Sequence, residues 1–216
     1  MQLSGAEIAV IGAGIGGLTA AIALAQRGAR VRVFEQAPVL GDVGAGLQIS
    51  QNAVVVLDRL GLGADLRAQG LASGGTVLCD FKAGAPIMTV PPPKVGVTYY
   101  MHRADLIALL ERAALTAGVN IQCGTEVVRL DIEGSIHFKD GSRADAGLVI
   151  AADGVRGIGR RTIDGAAMPR FSGQVAWRAV VPWEPSDAPV EAQLAMGPWQ
   201  AGRSEEHTSE LQSLTN

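Results

Sequence analysis

A cluster of glycines near the N-terminus, followed at a distance by one acid, could bind a nucleotide. Gly12, Gly14 and Gly17 form the pattern G-x-G-x-x-G, and Glu35 lies twenty-three residues after the first of them. In this pattern the first glycine permits a tight turn, the second lets the backbone approach a pyrophosphate, and the third lets a helix pack on a strand. A carboxylate at Glu35 can accept hydrogen bonds from ribose hydroxyls and would repel a 2′-phosphate, which disfavours NADP. These residues predict a dinucleotide site without distinguishing FAD from NAD.

The residues around this motif predict the βαβ unit that must hold it. Glu7–Ile11 is a short apolar run typical of a buried parallel strand. Leu18–Arg27 is predicted to be a helix that ends at Gly28, and Ala29–Phe34 a second strand that leads into the acid. The start of the helix would direct free backbone N–H groups and the positive end of its dipole at the phosphates.

Composition and charge narrow the classes of partner. The chain has 216 residues, of which 48% are hydrophobic, and a net charge of −3. That apolar content is sufficient for a folded core, and no basic stripe indicates nucleic acid or an anionic membrane as a partner. Cys79 and Cys123 lie far apart and belong to no cluster of metal-ligating residues. We therefore expect reduced thiols, no metal site and a cytoplasmic location.

An uncharged stretch at 8–25 raises the alternatives of a membrane helix or a signal peptide. Its eighteen residues are near the lower limit for crossing a bilayer. The glycines inside the stretch and the absence of a preceding Lys or Arg disfavour both alternatives. We therefore expect no membrane association.

Three further stretches, together with the N-terminal motif, resemble a known family. They are "GAGLQISQNAVVVLDRLGL" at 44–62, "MHRADLIALL" at 101–110 and "GLVIAADGVRGIGRR" at 147–161, with a weaker match in "FSGQVAWRAVVP" at 171–182. In order and spacing they are similar to the group A FAD-dependent aromatic hydroxylases, in particular the salicylate hydroxylase and 3-hydroxybenzoate 6-hydroxylase branch. The resemblance covers most of residues 5–182.

This resemblance implies FAD as cofactor, NAD(P)H as co-substrate, and O2 and a small aromatic acid or phenol as substrates. In such enzymes NAD(P)H reduces the flavin, and a flavin hydroperoxide then transfers its distal oxygen to the aromatic ring. Two other interpretations remain open, namely an FAD-binding module without turnover and an NAD-linked Rossmann dehydrogenase. An absorbance spectrum separates the latter, because a dehydrogenase without flavin is not yellow.

Carried over position by position, the resemblance places several residues beside the cofactor. Gly46 neighbours the flavin, and the Arg103 guanidinium holds phosphate or ribityl oxygens. Asp153 and Gly154 lie at the pyrophosphate and the path of NAD(P)H. Gln48 either lines the substrate side or is an ordinary polar group of a loop, and no catalytic residue is identified. The remaining cofactor positions are Gln36 and Val127.

Elementary physical arguments support two of these placements. Asp153 follows a predicted strand at 148–152, and open α/β sheets bind ligands at the carboxyl ends of their strands. Arg103 opens a predicted helix that reaches Ala117, with its leucines on the buried side. A cation at the start of a helix opposes the helix dipole, which disfavours a purely solvated role for this arginine.

The last motif departs from the family at one position. Family members continue after the Asp-Gly pair as D-G-x-x-S-x-x-R, but this chain has Gly157 in the serine position and keeps the cation at Arg160. The missing hydroxyl concerns contact with the pyridine nucleotide rather than FAD binding.

The elements combine into an α/β fold with two domains. We predict a Rossmann-like FAD-binding domain with a small β-meander, plus an incomplete mixed β-sheet of a substrate domain. The first comprises residues 1–73 and 100–165, and the second 74–99 and 166–202. In the meander we expect a turn at Asp140-Gly141 and a surface-facing His137. We expect the strands of the substrate sheet within 74–90 and 174–181, with Trp177 in the core of that sheet. A turn at Gly44–Gly46 leads into a helix from Ser50 to Leu60.

The C-terminal residues 203–216 are polar and differ from the rest of the chain. Translation of a common short-read sequencing adapter gives the same eleven residues as Arg203–Ser213. We therefore expect a non-native tail. Codons in the nucleotide record that encode the same residues but differ from the adapter sequence would contradict this expectation. The family's later G-D-A-A-H motif, which faces the ribityl chain and the flavin, is also missing from the sequence. The expected consequence is a fragment that exposes apolar residues of 74–90 and 174–181 and lacks activity.

Overall fold

The computed structural model describes most of the chain up to residue 165 and short stretches beyond it. The described residues are 3–41, 45–80, 82–165, 169–171, 173, 175–177, 180–181, 192–196, 201–205, 209–210 and 212–215. Two compact units form, one from Met1–Asp42 with Leu106–Arg170 and the other from Val43–Asp105 with Phe171–Asn216.

The helices and strands of the described residues are numbered in chain order. The helices are α1 (Ile15–Ala25), α2 (Gln51–Arg59), α3 (Gly63–Gln69), α4 (Arg103–Thr116) and α5 (Ile158–Asp164). The strands are β1 (Glu7–Ile11), β2 (Arg30–Phe34), β3 (Gly46–Ile49), β4 (Leu71–Ala72), β5 (Thr76–Asp80), β6 (Pro86–Val90), β7 (Tyr99–His102), β8 (Asn120–Gln122), β9 (Val127–Leu130), β10 (Ser135–Phe138), β11 (Arg143–Asp145), β12 (Leu148–Ala151), β13 (Val175–Trp177), β14 (Val180–Val181), β15 (Ala192–Met196), β16 (Ala201–Glu205), β17 (Ser209–Glu210) and β18 (Gln212–Thr215).

A four-stranded parallel sheet is the centre of the first unit, with the strand order β12-β1-β2-β8. Its central strand is apolar because both faces are covered, and Ala9 and Val10 are fully buried. Helix α1 packs on β1 and β2 and buries Leu18 and Ile22. The carboxyl ends of β1, β2 and β12 therefore meet at one edge, where ligands of such sheets bind.

The predicted βαβ unit is confirmed, but its helix begins earlier than expected. Helix α1 starts at Ile15 rather than Leu18, so Gly16 and Gly17 belong to its first turn. Only Gly12 in the loop has a positive φ, at 95°, so the chain turns there and enters the helix immediately. Glycine lowers helix propensity without forbidding a helix, and close packing of the turn outweighs that cost.

The predicted β-meander is also confirmed. Strands β9, β10 and β11 form an antiparallel sheet, and the turn to β11 has Gly141 at a φ of 87°. Ile136 and Phe138 point inward and pack in a cluster with Phe34, whose ring centroid lies 4.8 Å from that of Phe138. His137 alternates with them on the other face, with 26% of its side chain exposed, as predicted.

The second unit contains the predicted mixed sheet. Its strand order is β13-β18-β16-β15-β5-β6, in which β15 pairs with β5 in parallel and the other pairs are antiparallel. Exposed apolar side chains on the edge strand β6 match the surface expected of 74–90, namely Ile87, Met88 and Val90. The side chains of 174–181, including Trp177, lie outside the described residues. Strands β16, β17 and β18 extend the pairing into the segment predicted to be a non-native tail.

One local prediction in this unit is wrong. Gly46 does not lie in a turn but opens strand β3, where it is opposite His102 of β7. Backbone hydrogen bonds from the antiparallel partner β7 hold this residue in a strand. The glycines at 44 and 46 alone suggest a turn, because the partner strand is distant in sequence. The helices on either side agree with expectation, since α2 follows an N-cap at Ser50 and α4 buries Leu106 and its neighbouring apolar residues.

The uncharged stretch at 8–25 is divided between β1 and α1. Among the residues that the structure describes, no helix is long and apolar enough to cross a membrane.

Candidate functional site

A cleft of about 380 Å³ lies in the first unit, where β1, β2 and β12 end. Its walls come from the loop after β1, the residues after β2, the segment before β9, and the turn from β12 into α5. The predicted site residues Gly12, Gly14, Glu35, Gln36, Val127, Asp153 and Gly154 all line it. The fold therefore brings together residues that are more than a hundred positions apart in sequence.

The three fingerprint glycines have different physical roles. A Cβ on Gly12 would lie 2.6 Å from the Ala152 carbonyl oxygen, so this loop passes too close to β12 for any side chain. A Cβ on Gly17 would collide with the carbonyl oxygen of Gly12, because α1 packs directly beneath the loop. A Cβ on Gly14 would meet nothing within 4 Å, and Gly14 faces the cleft. Gly12 and Gly17 are thus required by the fold, whereas Gly14 leaves space for a ligand.

Glu35 joins the glycine loop to the residues after β2. Its Oε2 accepts a hydrogen bond from the Ala13 N–H at 2.8 Å, and its Oε1 accepts one from the Ala37 N–H at 2.8 Å. An ionised carboxylate has about four lone-pair sites, so one site on each oxygen remains for a ligand. Two neighbouring acceptors suit the two adjacent hydroxyls of a ribose.

The segment before β9 is aligned with Glu35 through the backbone. The Thr125 N–H donates to the Glu35 carbonyl at 2.8 Å, and the Gly124 N–H donates to the Ala37 carbonyl at 2.8 Å. This pairing places Thr125, Glu126 and Val127 on the same wall as Gln36. Sequence reasoning missed the first two of these residues, because the pairing joins segments about ninety positions apart and no motif marks it.

The opposite wall carries positive charge. Arg156 and Arg161 line the cleft, and neither guanidinium group has an ion pair or a hydrogen bond with another described residue. Arg160, the cation expected from the motif, is not among the lining residues. Whether Arg160 or Arg161 faces the cleft depends on how α5 is rotated about its axis. The sequence pattern does not determine this rotation.

Asp153 faces α5 as well as the cleft. Its Oδ2 accepts a hydrogen bond from the Gly159 N–H at 2.9 Å, in the first turn of that helix. Gly154, at a φ of 78°, allows the chain to turn immediately after β12. The predicted Asp-Gly pair thus shapes the turn that leads into α5.

The remaining predicted residues lie in the second unit. Gly46 pairs with His102, and the Arg103 N–H donates to the Ala45 carbonyl at 3.3 Å, so Gly46 and Arg103 are close to each other. Gln48 is exposed on β3 opposite Tyr100.

Titratable groups near the cleft include one thiol. Burial, together with the carboxylates of Glu111 and Glu35, raises the pKa of Cys123. The thiol therefore stays protonated near neutral pH and is a poor nucleophile.

On the meander surface, a hydrogen bond from His137 is the main cause that lowers the pKa of Asp131, and the two side chains lie 2.7 Å apart. No group of His, Cys, Asp and Glu among the described residues could hold a metal ion.

The cleft matches the chemistry of a nucleoside diphosphate from one end to the other. Acceptors at Glu35 suit ribose hydroxyls, and the open backbone at Gly14 suits close approach of a diphosphate. Arg156 and Arg161 offer unpaired guanidinium groups to the same anionic part of the ligand. The residues present therefore fit the adenosine diphosphate portion of FAD.

Comparison with known proteins gives concordant results. A family profile described as "FAD binding domain" matches residues 5–204. The chain is 37% identical over 185 residues to 6-hydroxynicotinate 3-monooxygenase of Bordetella bronchiseptica, covering 82% of this chain and 48% of that protein. It is 42% identical over 189 residues to 3-amino-4-hydroxybenzoate 2-monooxygenase of Streptomyces cremeus, covering 82% and 46% respectively.

Solved structures share the fold. The tetrameric form of 2-methyl-3-hydroxypyridine-5-carboxylic acid oxygenase aligns with a TM-score of 0.78 at 25% identity, covering 97% of this chain and 58% of that one. HpxO of Klebsiella pneumoniae, solved in complex with FAD, aligns with a TM-score of 0.78 at 25% identity, covering 97% and 56%.

The chain spans about half the length of the curated relatives it matches. The profile match covers the glycine motif, Glu35 and both walls of the cleft. On this evidence the chain belongs to the FAD binding domain family.

Proposed function

We propose that this chain provides the FAD-binding part of a flavin-dependent monooxygenase that hydroxylates a small aromatic acid or phenol. One observation carries the proposal. The same cleft contains two free acceptor positions on Glu35 and an open stretch of backbone at Gly14. The redox chemistry would come from bound FAD, which accepts a hydride from NAD(P)H and inserts one oxygen atom of O2 into the ring. The protein's own residues bind and orient the participants.

Within the cleft, each wall has a separate task. Glu35 accepts hydrogen bonds from the adenosine ribose, with Gln36 and Val127 beside the adenine. The backbone of Gly12 and Gly14 approaches the diphosphate, where Arg156 and Arg161 supply positive charge from the opposite wall.

In the second unit, Gly46 and Arg103 are proposed to contact the flavin portion of the cofactor. Their proximity across β3 and β7 supports a shared task. Gln48 is proposed to line the substrate side, since its side chain is exposed and free to meet a ligand. We also infer a cytoplasmic location, which the free thiols of Cys79 and Cys123 support.

The two neighbouring arginines of α5 give a matched test of the positive wall. Arg161→Gln is expected to raise the Kd for FAD about fivefold, as for a partly exposed ion pair, and to reduce its dependence on salt. Arg160→Gln removes the same charge outside the cleft and is expected to leave the affinity unchanged. Titration of both variants by flavin fluorescence quenching measures the difference. Equal effects of the two substitutions would show that net charge, rather than contact, determines binding.

The activity itself is tested on the full-length protein that contains this chain. We expect a small aromatic acid or phenol to stimulate NAD(P)H oxidation with formation of one hydroxylated product per NAD(P)H consumed. Flavin binding without stimulated oxidation by any aromatic acid or phenol would favour a binding module. Reversible NAD reduction by a colourless protein would favour a dehydrogenase. For the 216-residue chain alone we expect weak FAD binding at most and no substrate-dependent oxidation.

A further inference from the structure

Position 157 contains glycine although its backbone does not require one. Gly157 has a φ of −60° and a ψ of 156°, values that any residue adopts. A Cβ built on it, however, would overlap the carboxylate of Asp153. The need for glycine therefore comes from the space that this neighbouring side chain occupies.

The Asp153 carboxylate occupies that space to make a specific hydrogen bond. Gly157 is the N-cap of α5 and has no side chain to satisfy the free N–H groups of the first turn. Asp153 Oδ2 accepts the hydrogen bond from the Gly159 N–H, two residues after the N-cap, at 2.9 Å. A serine or aspartate at an N-cap bonds to an N–H at this same position. Asp153 thus does from four residues away what an N-cap side chain does locally.

The capped turn is also held against β12. The Gly157 N–H donates to the Gly154 carbonyl at 3.0 Å, which closes the turn. A Cβ on Gly159 would overlap the Ala151 side chain, so α5 begins in direct contact with the strand. Arg156 lies in this turn, and α5 carries Arg161, the other cation of the cleft.

We infer that Asp153 is a positioning residue that caps α5 in place of residue 157 and so fixes the two arginines of the cleft. In this chain the aspartate of the Asp-Gly pair acts through α5, and its carboxylate supplies the acceptor that the N-cap residue Gly157 lacks. The capping contact is independent of the proposed function, whereas its effect on flavin binding rests on that function.

A set of four variants of the full-length protein tests the inference. They are Asp153→Ala, Gly157→Ala, Asp153→Ala/Gly157→Ala and Asp153→Ala/Gly157→Ser. Amide hydrogen exchange of the apoprotein, read on the peptide that covers 158–164, reports the opening of α5, and fluorescence quenching reports the Kd for FAD.

The expected pattern follows from one shared hydrogen bond. Asp153→Ala removes the cap, and Gly157→Ala displaces it, so each is expected to accelerate exchange about fivefold. The Ala/Ala double variant is expected to be no faster than either single variant. In the Asp153→Ala background, Gly157→Ser is expected to restore slow exchange, because the serine hydroxyl replaces the carboxylate. The affinity for FAD is expected to fall severalfold in Asp153→Ala and Gly157→Ala. It is expected to recover in Asp153→Ala/Gly157→Ser.

Three outcomes would overturn the inference. Additive effects of the two alanine substitutions, or failure of serine to restore slow exchange, would mean that Asp153 does not cap α5. Restored exchange without restored FAD affinity would mean that Asp153 contacts the cofactor directly rather than through the helix. If the wild-type protein bound no FAD, the proposed function would fail, and the exchange rates would still decide the capping role.

Discussion

Gly17→Ala is expected to abolish FAD binding by disrupting the loop that is proposed to hold the diphosphate. The added methyl group has a position fixed by the helix backbone and would collide with the Gly12 carbonyl oxygen. Because that oxygen is itself a backbone atom, no side-chain rotation relieves the contact. We expect a loss of about 3 kcal/mol in unfolding free energy, at the upper end of the usual cost of overpacking. Thermal unfolding and retained flavin in the full-length protein measure the two effects.

Two neighbouring glycines provide controls for this substitution. Gly16→Ala adds a methyl group with nothing within 4 Å on an exposed face of α1, and is expected to leave binding unchanged without lowering stability, since alanine favours a helix more than glycine does. Gly14→Ala also has open space, but that space is the cleft, so stability should persist while the Kd for FAD rises. A stable, flavin-containing Gly17→Ala protein would show that α1 and the loop are not in the close contact described.

Glu35→Ala is expected to weaken FAD binding by about 1.5–3 kcal/mol, equivalent to a roughly 10- to 150-fold higher Kd. The carboxylate has acceptor positions left for the proposed ribose contact and also accepts hydrogen bonds from the N–H groups of Ala13 and Ala37. Its removal therefore deprives the ligand of partners and loosens the attachment of the glycine loop to β2. Isothermal titration of the apoprotein with FAD measures the change.

Glu126 is the matched control for Glu35. Both carboxylates line the cleft, but Glu126 forms an ion pair with Lys139 at 2.6 Å and has no hydrogen bond to the glycine loop in the described residues. Glu126→Ala is expected to change the affinity little, because exposed ion pairs contribute little. Unchanged affinity in Glu35→Ala, or an equal loss in both variants, would count against the assignment of the ribose to Glu35.

The parts of the fold predicted best from sequence are those with local signals. The βαβ unit combines an apolar strand, a glycine motif and a helix within thirty residues, so the position of the unit, with Glu35 at its end, could be inferred directly. The meander likewise showed alternating apolar residues and an Asp140-Gly141 turn.

The parts that sequence did not predict depend on contacts between distant segments. Strand β8 has only three residues, two of them exposed and polar, and forms because β2 offers an edge. Gly46 lies in a strand because β7 pairs with it, although its neighbours suggest a turn. The choice between Arg160 and Arg161 depends on the rotation of α5, which the contact of Gly159 with Ala151 determines. Such features require the packed structure.

The central claim is that the cleft between Glu35 and α5 holds FAD. The visible absorbance spectrum of the purified full-length protein, recorded before and after denaturation and compared with its protein content, tests it most directly. We predict the two-band spectrum of oxidised flavin, with one FAD released per polypeptide, and a lower flavin content in the Glu35→Ala variant. A colourless wild-type protein that takes up no FAD when the cofactor is added in excess would contradict the account.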